Sequence, residues 1–299
     1  YGSPALYSTD GFLEIADAAV DGITVVRLDG GSAMDQTGLC VSGAGDVNGD
    51  GYSDLLVGAP GADPQGQTAA GLAYLIFGRP TPLGTSGVLS LAALKGSEGV
   101  RFMGGAGYDR VGYGLSCAGD VDGDTYPELV FGDENGQLFV VKGNGQMVTG
   151  TPIMLGGTKE TTTPALVDLD GDSILEIILT SYERESPNNN GQLHVFKWTG
   201  TGFSDFNNFP VSFTYGSDAA PVVGDLNDDG IMEIVYVESG RQSDSTMAKL
   251  QAIDATGKPV TGFPIDIAYT SIGSTPALYD LDKDGKLEVL IRIKPVSTN

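Results

Sequence analysis

Five times along the chain a nine-residue acidic loop stands between two short apolar runs, and this repetition limits the fold more than any other feature of the sequence. The copies are Asp46 to Asp54 (DVNGDGYSD), Asp120 to Glu128 (DVDGDTYPE), Asp168 to Glu176 (DLDGDSILE), Asp225 to Glu233 (DLNDDGIME) and Asp280 to Glu288 (DLDKDGKLE). Asp or Asn fills loop positions 1, 3 and 5 in every copy: Asp46, Asn48 and Asp50; Asp120, Asp122 and Asp124; Asp168, Asp170 and Asp172; Asp225, Asn227 and Asp229; Asp280, Asp282 and Asp284. A carboxylate closes each loop at position 9, as Asp54, Glu128, Glu176, Glu233 and Glu288, while position 2 is always Val or Leu.

That spacing is what a hard cation requires. Ca²⁺ takes six to eight oxygens at about 2.3–2.6 Å, and alternate residues of a curled loop turn three short side chains inward. Position 7 adds a backbone carbonyl, here of Tyr52, Tyr126, Ile174, Ile231 and Lys286. The acid at position 9 completes the shell and the apolar residue at position 2 is free to enter the core. Glycine eases the curl because it tolerates positive φ. Gly51, Gly230 and Gly285 hold position 6, whereas Thr125 and Ser173 replace it in loops 2 and 3, the weaker candidates; these keep Gly123 and Gly171 at position 4. An EF-hand would need Glu at position 12, where the first and last loops have Val57 and Ile291 inside strand-like runs. A solvated acidic turn explains one copy easily, but five copies in one register favour metal, so about five Ca²⁺ are expected.

Composition agrees with a β-repeat protein. The 299 residues include 45 glycines and 40% hydrophobic residues, enough for a large core punctuated by turns. The net charge is −23, and 18 of the 39 acids are the proposed ligands, so five Ca²⁺ would bring it to −13. The remaining acidity argues against nucleic acid or an anionic membrane as partner, and no apolar run reaches the ~18 residues of a membrane span. The chain opens at Tyr1 without an initiator Met or a leader pattern, which reads as a processed protein or a piece of one. Cys40 and Cys117 stand six and three residues before their loops, on opposite strand faces, and read as free thiols more than as a disulfide.

Loops begin at 46, 120, 168, 225 and 280, so they are 74, 48, 57 and 55 residues apart. Such periods belong to propellers and solenoids. In each period a strand enters the loop (39–41, 165–167, 221–223, 277–279) and a second leaves it (55–57, 129–131, 177–179, 234–236, 289–291). A third follows (72–77, 138–141, 193–198, 250–253), then a fourth (100–102, 152–154, 210–213, 264–266). Four short antiparallel strands per ~50 residues make one propeller blade. The expected fold is an all-β propeller of about five such blades filling 1–299, possible as part of a six- or seven-bladed ring. Tyr1-Gly2-Ser3-Pro4 is similar to Phe77-Gly78-Arg79-Pro80, so residues 1–35 read as the end of a blade. Two readings stay open: residues 23–28 complete the last blade, or further blades lie outside this chain. Any open edge needs cover, or it invites self-assembly.

The residues 43–60 (GAGDVNGDGYSDLLVGAP) with 73–78 (AYLIFG) resemble the FG-GAP repeat of integrin α-subunit propellers and their bacterial relatives, and 117–133 is a second copy. The units at 163–172 and 275–285 resemble the related VCBS-type repeat. The resemblance implies a Ca²⁺-bearing propeller outside the cell, secreted or at the cell surface, used in adhesion or recognition. The chain departs from integrins in having no inserted DxSxS ligand domain and about five units in place of seven.

In such a blade all the acidic loops share one face. The other face carries the connections 61–71, 182–191 and 239–247 and the aromatics Tyr108, Tyr215 and Tyr269, which suit a protein or glycan ligand or packing between blades. His194 and Trp198 read as packed strand residues, and there is no GxSxG elbow, P-loop or Cys-His zinc set. No catalytic residue is assigned. The reading is a non-enzymatic, calcium-stabilised adhesion, recognition or assembly module; the alternatives are a lectin-like propeller and, third, a polysaccharide lyase.

Overall fold

The computed structural model describes residues 26–81, 88–117, 119–156, 160–183, 190–216, 218–239, 247–267 and 274–292, with the backbone of 19–20 and 23–24. Its helical segments among these are two single 3₁₀ turns, Pro64–Gly66 and Leu91–Ala93; everything else regular is strand. The strands group into antiparallel sheets that follow the loop repeat. Blade 1 pairs Val41–Gly45, Asp54–Ala59, Leu72–Ile76 and Gly99–Met103 in that order. Blade 2 pairs Leu115–Cys117, Leu129–Gly132, Gln137–Val141 and Ile153–Met154. Blade 3 is built on Ala165–Val167, Glu176–Tyr182, Gly191–Trp198 and Val211–Phe213, extended by Glu160–Thr161 and Phe203–Asp205. Blade 4 pairs Val222–Gly224, Glu233–Glu238, Ala248–Asp254 and Ile265–Ile267, and blade 5 contributes Ala277–Tyr279 and Glu288–Leu290. Most of these segments fall within a residue or so of the apolar runs; the strand expected at 39–41 runs instead over Val41–Gly45, and Leu115–Cys117 enters loop 2 where none was expected. The third and fourth strands expected for blade 5 lie outside the described residues.

Second strands are buried on both faces, which is why they read as unbroken apolar runs such as Ile177-Ile178-Leu179. Each buries its side chains in two layers, one against the preceding blade and one against the next. Leu129 and Phe131 of blade 2 join Leu56 and Leu75 of blade 1, whereas Val130 joins Ile177 and Leu179 of blade 3. Ile178 of blade 3 then meets Ile234 and Tyr236 of blade 4, and Val235 and Val237 meet Leu278 and Val289 of blade 5. The first strands of successive blades lie side by side, 41–45 with 115–117, 115–117 with 165–167, 165–167 with 222–224, and 222–224 with 277–279. Sheets stacked face to face with their first strands adjacent are propeller blades of the expected all-β type.

Among the described residues no blade lies against the outer face of blade 1, yet that face is not bare. Leu89, Leu91 and Leu94, with Val26 and Leu28, cover Val57, Tyr74 and Ile76. Arg27–Asp29 pairs in parallel with Val88–Ser90. Of the residues 23–28 that one of the two open readings gave to the last blade, 27 and 28 belong to the cover over blade 1 and Ile23–Thr24 pairs with Ala19–Val20, while the closure of the last blade lies outside the described residues. The likeness of Tyr1-Gly2-Ser3-Pro4 to a third-strand end lies outside the described residues.

Candidate metal loops

In all five copies the loop between first and second strands is held by the same internal hydrogen bonds. The position 1 carboxylate accepts from the backbone N–H groups of positions 5 and 6, as Asp46 does from Asp50 (3.0 Å) and Gly51 (2.7 Å) and Asp280 from Asp284 (3.1 Å) and Gly285 (3.1 Å). Asp120, Asp168 and Asp225 repeat the pattern. Position 5 accepts from the N–H of position 7: Asp50 from Tyr52, Asp124 from Tyr126, Asp172 from Ile174, Asp229 from Ile231 and Asp284 from Lys286, at 2.8–2.9 Å. Position 9 reaches back to the N–H of position 2: Asp54 to Val47, Glu128 to Val121, Glu176 to Leu169, Glu233 to Leu226 and Glu288 to Leu281. The sequence therefore brings the first and last acids of each loop to one locus through backbone donors that an uncurled chain leaves to water.

The curl needs positive φ at positions 4 and 6 in every copy. Gly51, Gly230 and Gly285 supply it at position 6 (φ 90, 82 and 92), and Thr125 and Ser173 adopt it too (φ 78 and 71). Loops 2 and 3 thus have the same shape as the others despite lacking that glycine, at the cost of left-handed backbone in a β-branched residue and a serine. Position 2 enters the core as expected in the first two loops, with Val47 and Val121 buried; Leu169 and Leu226 are half-buried against their clusters, and Leu281 of loop 5 is exposed. Neighbouring loops touch. The Tyr126 ring lies so close to Gly49 (φ 73) that a Cβ there would fall 2.7 Å from Cε1, and Ile174 covers Gly123 in the same way. The position 7 side chains Tyr52, Tyr126 and Ile231 are otherwise exposed, consistent with a residue whose backbone matters.

Three of the loops bring carboxylate oxygens together within 4.8 Å: Asp120, Asp122 and Glu128; Asp168, Asp170 and Glu176; Asp280, Asp282 and Glu288. Loops 1 and 4 carry an amide at position 3, where Asn48 and Asn227 hold Asp50 and Glu233 through their Nδ2 (3.1 and 3.3 Å). The donor sets are entirely oxygen, the chemistry of a hard divalent cation. Buried Glu128 Oε1, Glu176 Oε1 and Asp122 Oδ1 have no hydrogen-bond partner, as expected of oxygens shaped for an ion. Burial pushes the Glu128 carboxyl up to about 8, helped by Asp122, Asp124 and Asp120. Glu176 rises to about 7, again through burial first and then Asp170. Burial also raises Asp54 and Glu233. Without a cation these acids resist ionising.

Two residues that the loop pattern does not contain stand inside loops 2 and 3. Lys142 Nζ contacts Asp122 at 2.7 Å and also Asp124. Lys197 Nζ contacts Asp170, Asp172 at 2.8 Å and Glu176 Oε1 at 4.0 Å. Asp172 is lowered, chiefly by its hydrogen bond from Lys197; at Asp124 burial works upward but the bonds from Lys142 and from Tyr126 N–H prevail. Each lysine follows or ends the third strand of its blade, so the signal was present in VVKGNG (140–145) and FKWTG (196–200), but only strand register reveals it.

The face away from the loops matches its expectations unevenly. Tyr108 is exposed, Tyr215 is half-buried, and Tyr269 lies outside the described residues, as do parts of the connections 182–191 and 239–247. His194 is buried, bonded to the Ser181 hydroxyl at 2.8 Å and stacked on Phe196. Trp198 packs on Phe203 within the layer between blades 2 and 3. Cys40 is a free thiol donating to the Leu115 carbonyl; the side chain of Cys117 is outside the described residues.

Comparison with known proteins agrees with this architecture. Residues 41–76 match the FG-GAP repeat and 120–179 the FG-GAP-like repeat. These two stretches are FG-GAP-type repeats, integrin-α-like in sequence. Integrin alpha-PS2 of Drosophila melanogaster is 38% identical over 117 residues, and integrin alpha-V of Gallus gallus 33% identical over 114, each alignment covering 38% of this chain. They span only 8% and 10% of those relatives, so what the whole relatives do does not transfer directly. Among solved structures, the V. cholerae biofilm matrix protein Bap1 aligns at 15% identity with a TM-score of 0.39, covering 83% of this chain and 43% of that one. Bacillus licheniformis rhamnogalacturonan lyase PL11 aligns at 16% and 0.44, covering 84% and 55%. Likenesses of that size carry no argument about activity. No helix among the described residues is long and apolar enough to cross a membrane.

Proposed function

We propose that this chain is a calcium-stabilised recognition or adhesion module that works outside the cell and does no chemistry of its own. One observation carries the reading: the same hydrogen-bonded acidic loop occurs five times, and where its closing glutamates are fully buried an oxygen of each is left without a hydrogen-bond donor. The ligands would be the side chains at positions 1, 3, 5 and 9 and the carbonyl at position 7 of each loop. Calcium would neutralise acids that burial otherwise keeps protonated, and would tie the first strand of a blade to its second. Extracellular modules bind Ca²⁺ with Kd around 10⁻⁴–10⁻³ M. At millimolar calcium a site at the tighter end of that range contributes roughly 1–1.5 kcal/mol, and five such sites together about 5–7, comparable to the stability of an ordinary domain.

The likeness to integrin α chains, which are cell-surface proteins, supports an extracellular role with a protein ligand. Burial of His194 against Ser181 supports a packing role over that of a catalytic base. Melting the metal-free protein against added calcium tests the proposal. A rise in Tm that saturates at millimolar Ca²⁺ is expected, and an unchanged melt would remove the structural role.

A further inference from the structure

One register position distinguishes the loops. Leu55 pairs with Ile76, Leu129 with Val141, Ile177 with Phe196 and Glu233 with Asp254. The residue across from the closing acid is therefore Phe77 in blade 1, Lys142 in blade 2, Lys197 in blade 3 and Asp254 in blade 4. In loops 2 and 3 the lysine stem carries its ammonium into the cluster formed by positions 3, 5 and 9. No ion pair reaches loops 1, 4 or 5 among the described residues. The loop bonding changes with the lysine. In loops 1, 4 and 5 the position 3 side chain accepts the N–H of position 5 (2.9–3.1 Å). In loops 2 and 3 Asp122 and Asp170 turn to the lysine, and position 1 instead accepts the N–H of position 4, Gly123 (2.6 Å) and Gly171 (2.7 Å).

We propose that Lys142 and Lys197 are tethered counter-ions that occupy the cation position of loops 2 and 3, so that calcium must displace them, whereas loops 1 and 4, faced by Phe77 and Asp254, are open. The inference rests on the calcium reading above. An ammonium brings one charge and three donors, too few for four carboxylates, and Asp122 Oδ1 and Glu128 Oε1 stay without a donor. The guarded loops thus keep some demand for a divalent ion. Lys142 has somewhere to go: it borders a cleft of about 390 Å³ between blades 1 and 2, lined also by Asn48, Phe77, Tyr126 and Asn144. Lys197 is held further by the Phe206 ring, 5.9 Å from Nζ, which makes loop 3 the more firmly guarded. Loop 4 is the opposite case, because across from its closing acid stands Asp254, a carboxylate held by Thr256 and the Lys258 N–H, where blades 2 and 3 carry Lys.

Calcium titration of the metal-free full chain, read by calorimetry and by native mass, tests this. The unaltered protein should fill the sites of loops 1 and 4 in a strong class and those of loops 2 and 3 roughly ten-fold more weakly. Replacing both lysines, Lys142→Met with Lys197→Met, should move those two sites into the strong class while lowering Tm in chelator more than in calcium. Asp254→Lys should move one strong site into the weak class, and it serves as the decisive variant if the double lysine variant does not fold. Five equal sites in the unaltered protein, or a calcium profile unmoved by these substitutions, would overturn the guarding role and leave the calcium reading intact. No binding by any variant, the unaltered chain included, would overturn both.

Discussion

Blades 2 and 3 differ from blades 1 and 4 in a way their backbones conceal. The loops of all four curl identically, with positive φ at positions 4 and 6 and position 9 bonded back to position 2. In blades 2 and 3, however, the curl is kept by Thr125 and Ser173 where blade 4 and blade 1 have glycine, and its charge is met by a lysine from the third strand. The comparison separates two properties that a DxDxD pattern runs together. Shape comes from backbone donors within the loop. On the proposal made above, demand for a metal would be set by what stands across the sheet.

The largest effect expected is from removing metal altogether. Loss of five sites worth roughly 1–1.5 kcal/mol each should lower Tm by about 10–20 °C, measured by calorimetry in chelator and in millimolar calcium. A drop of only a few degrees would mean that the lysines, and not calcium, carry the loops. A sharper contrast comes from Glu233→Gln in the open loop of blade 4 against Glu128→Gln in blade 2. The first should lose Tm mainly in calcium, by roughly 2–6 °C. The second should melt higher than the parent in chelator at pH 8, since it removes a carboxyl that burial keeps from ionising. If both variants behave alike, the division between blades is wrong.

pH provides a third comparison. Burial holds the folded-state values of Glu128 (about 8) and Glu176 (about 7) above the ordinary glutamate value of 4.5, so the folded chain binds more protons than the unfolded one between those limits. Stability from these groups is present below about pH 4.5 and is lost as pH rises through 7 to 8. Metal-free protein should therefore show a falling Tm across pH 5–8, and saturating calcium should flatten the slope. A Tm that rises over that range in chelator would contradict the burial of these acids. The smallest effect is in backbone strain: Thr125→Gly and Ser173→Gly should each raise Tm by a degree or two, relief of left-handed strain slightly exceeding the entropy that glycine adds. A loss of Tm would show instead that those side chains hold the loop.

Much of the fold was legible because the relevant information is local. Ala165–Val167 and Ala277–Tyr279 are the strands their apolar runs implied, and second strands such as Glu233–Glu238 announced themselves as unbroken apolar segments. The loops were legible for the same reason, since nine residues contain both the side chains and the N–H groups that orient them. The cover over blade 1 was not. Arg27–Asp29 joins Val88–Ser90 across about sixty residues of sequence, and the short β-like run 23–28 looked equally suited to a fourth strand elsewhere. Nor was the feature that sets loops 2 and 3 apart read from the sequence: Thr125 and Ser173, which ranked them as the weaker candidates, keep the curl, and what distinguishes these loops in the structure is the contact with Lys142 and Lys197.

By itself the sequence determined that acidic hairpins recur at a blade-like period, that their side chains converge, and that each of the first four runs into a buried second strand. Tertiary structure alone decided which residue meets the closing acid and what shields the first blade. The physical reason is distance along the chain. A loop's shape is set by bonds spanning at most seven residues, whereas Glu128 and Lys142, or Glu176 and Lys197, are brought together only by the register of paired strands across connections of unequal length.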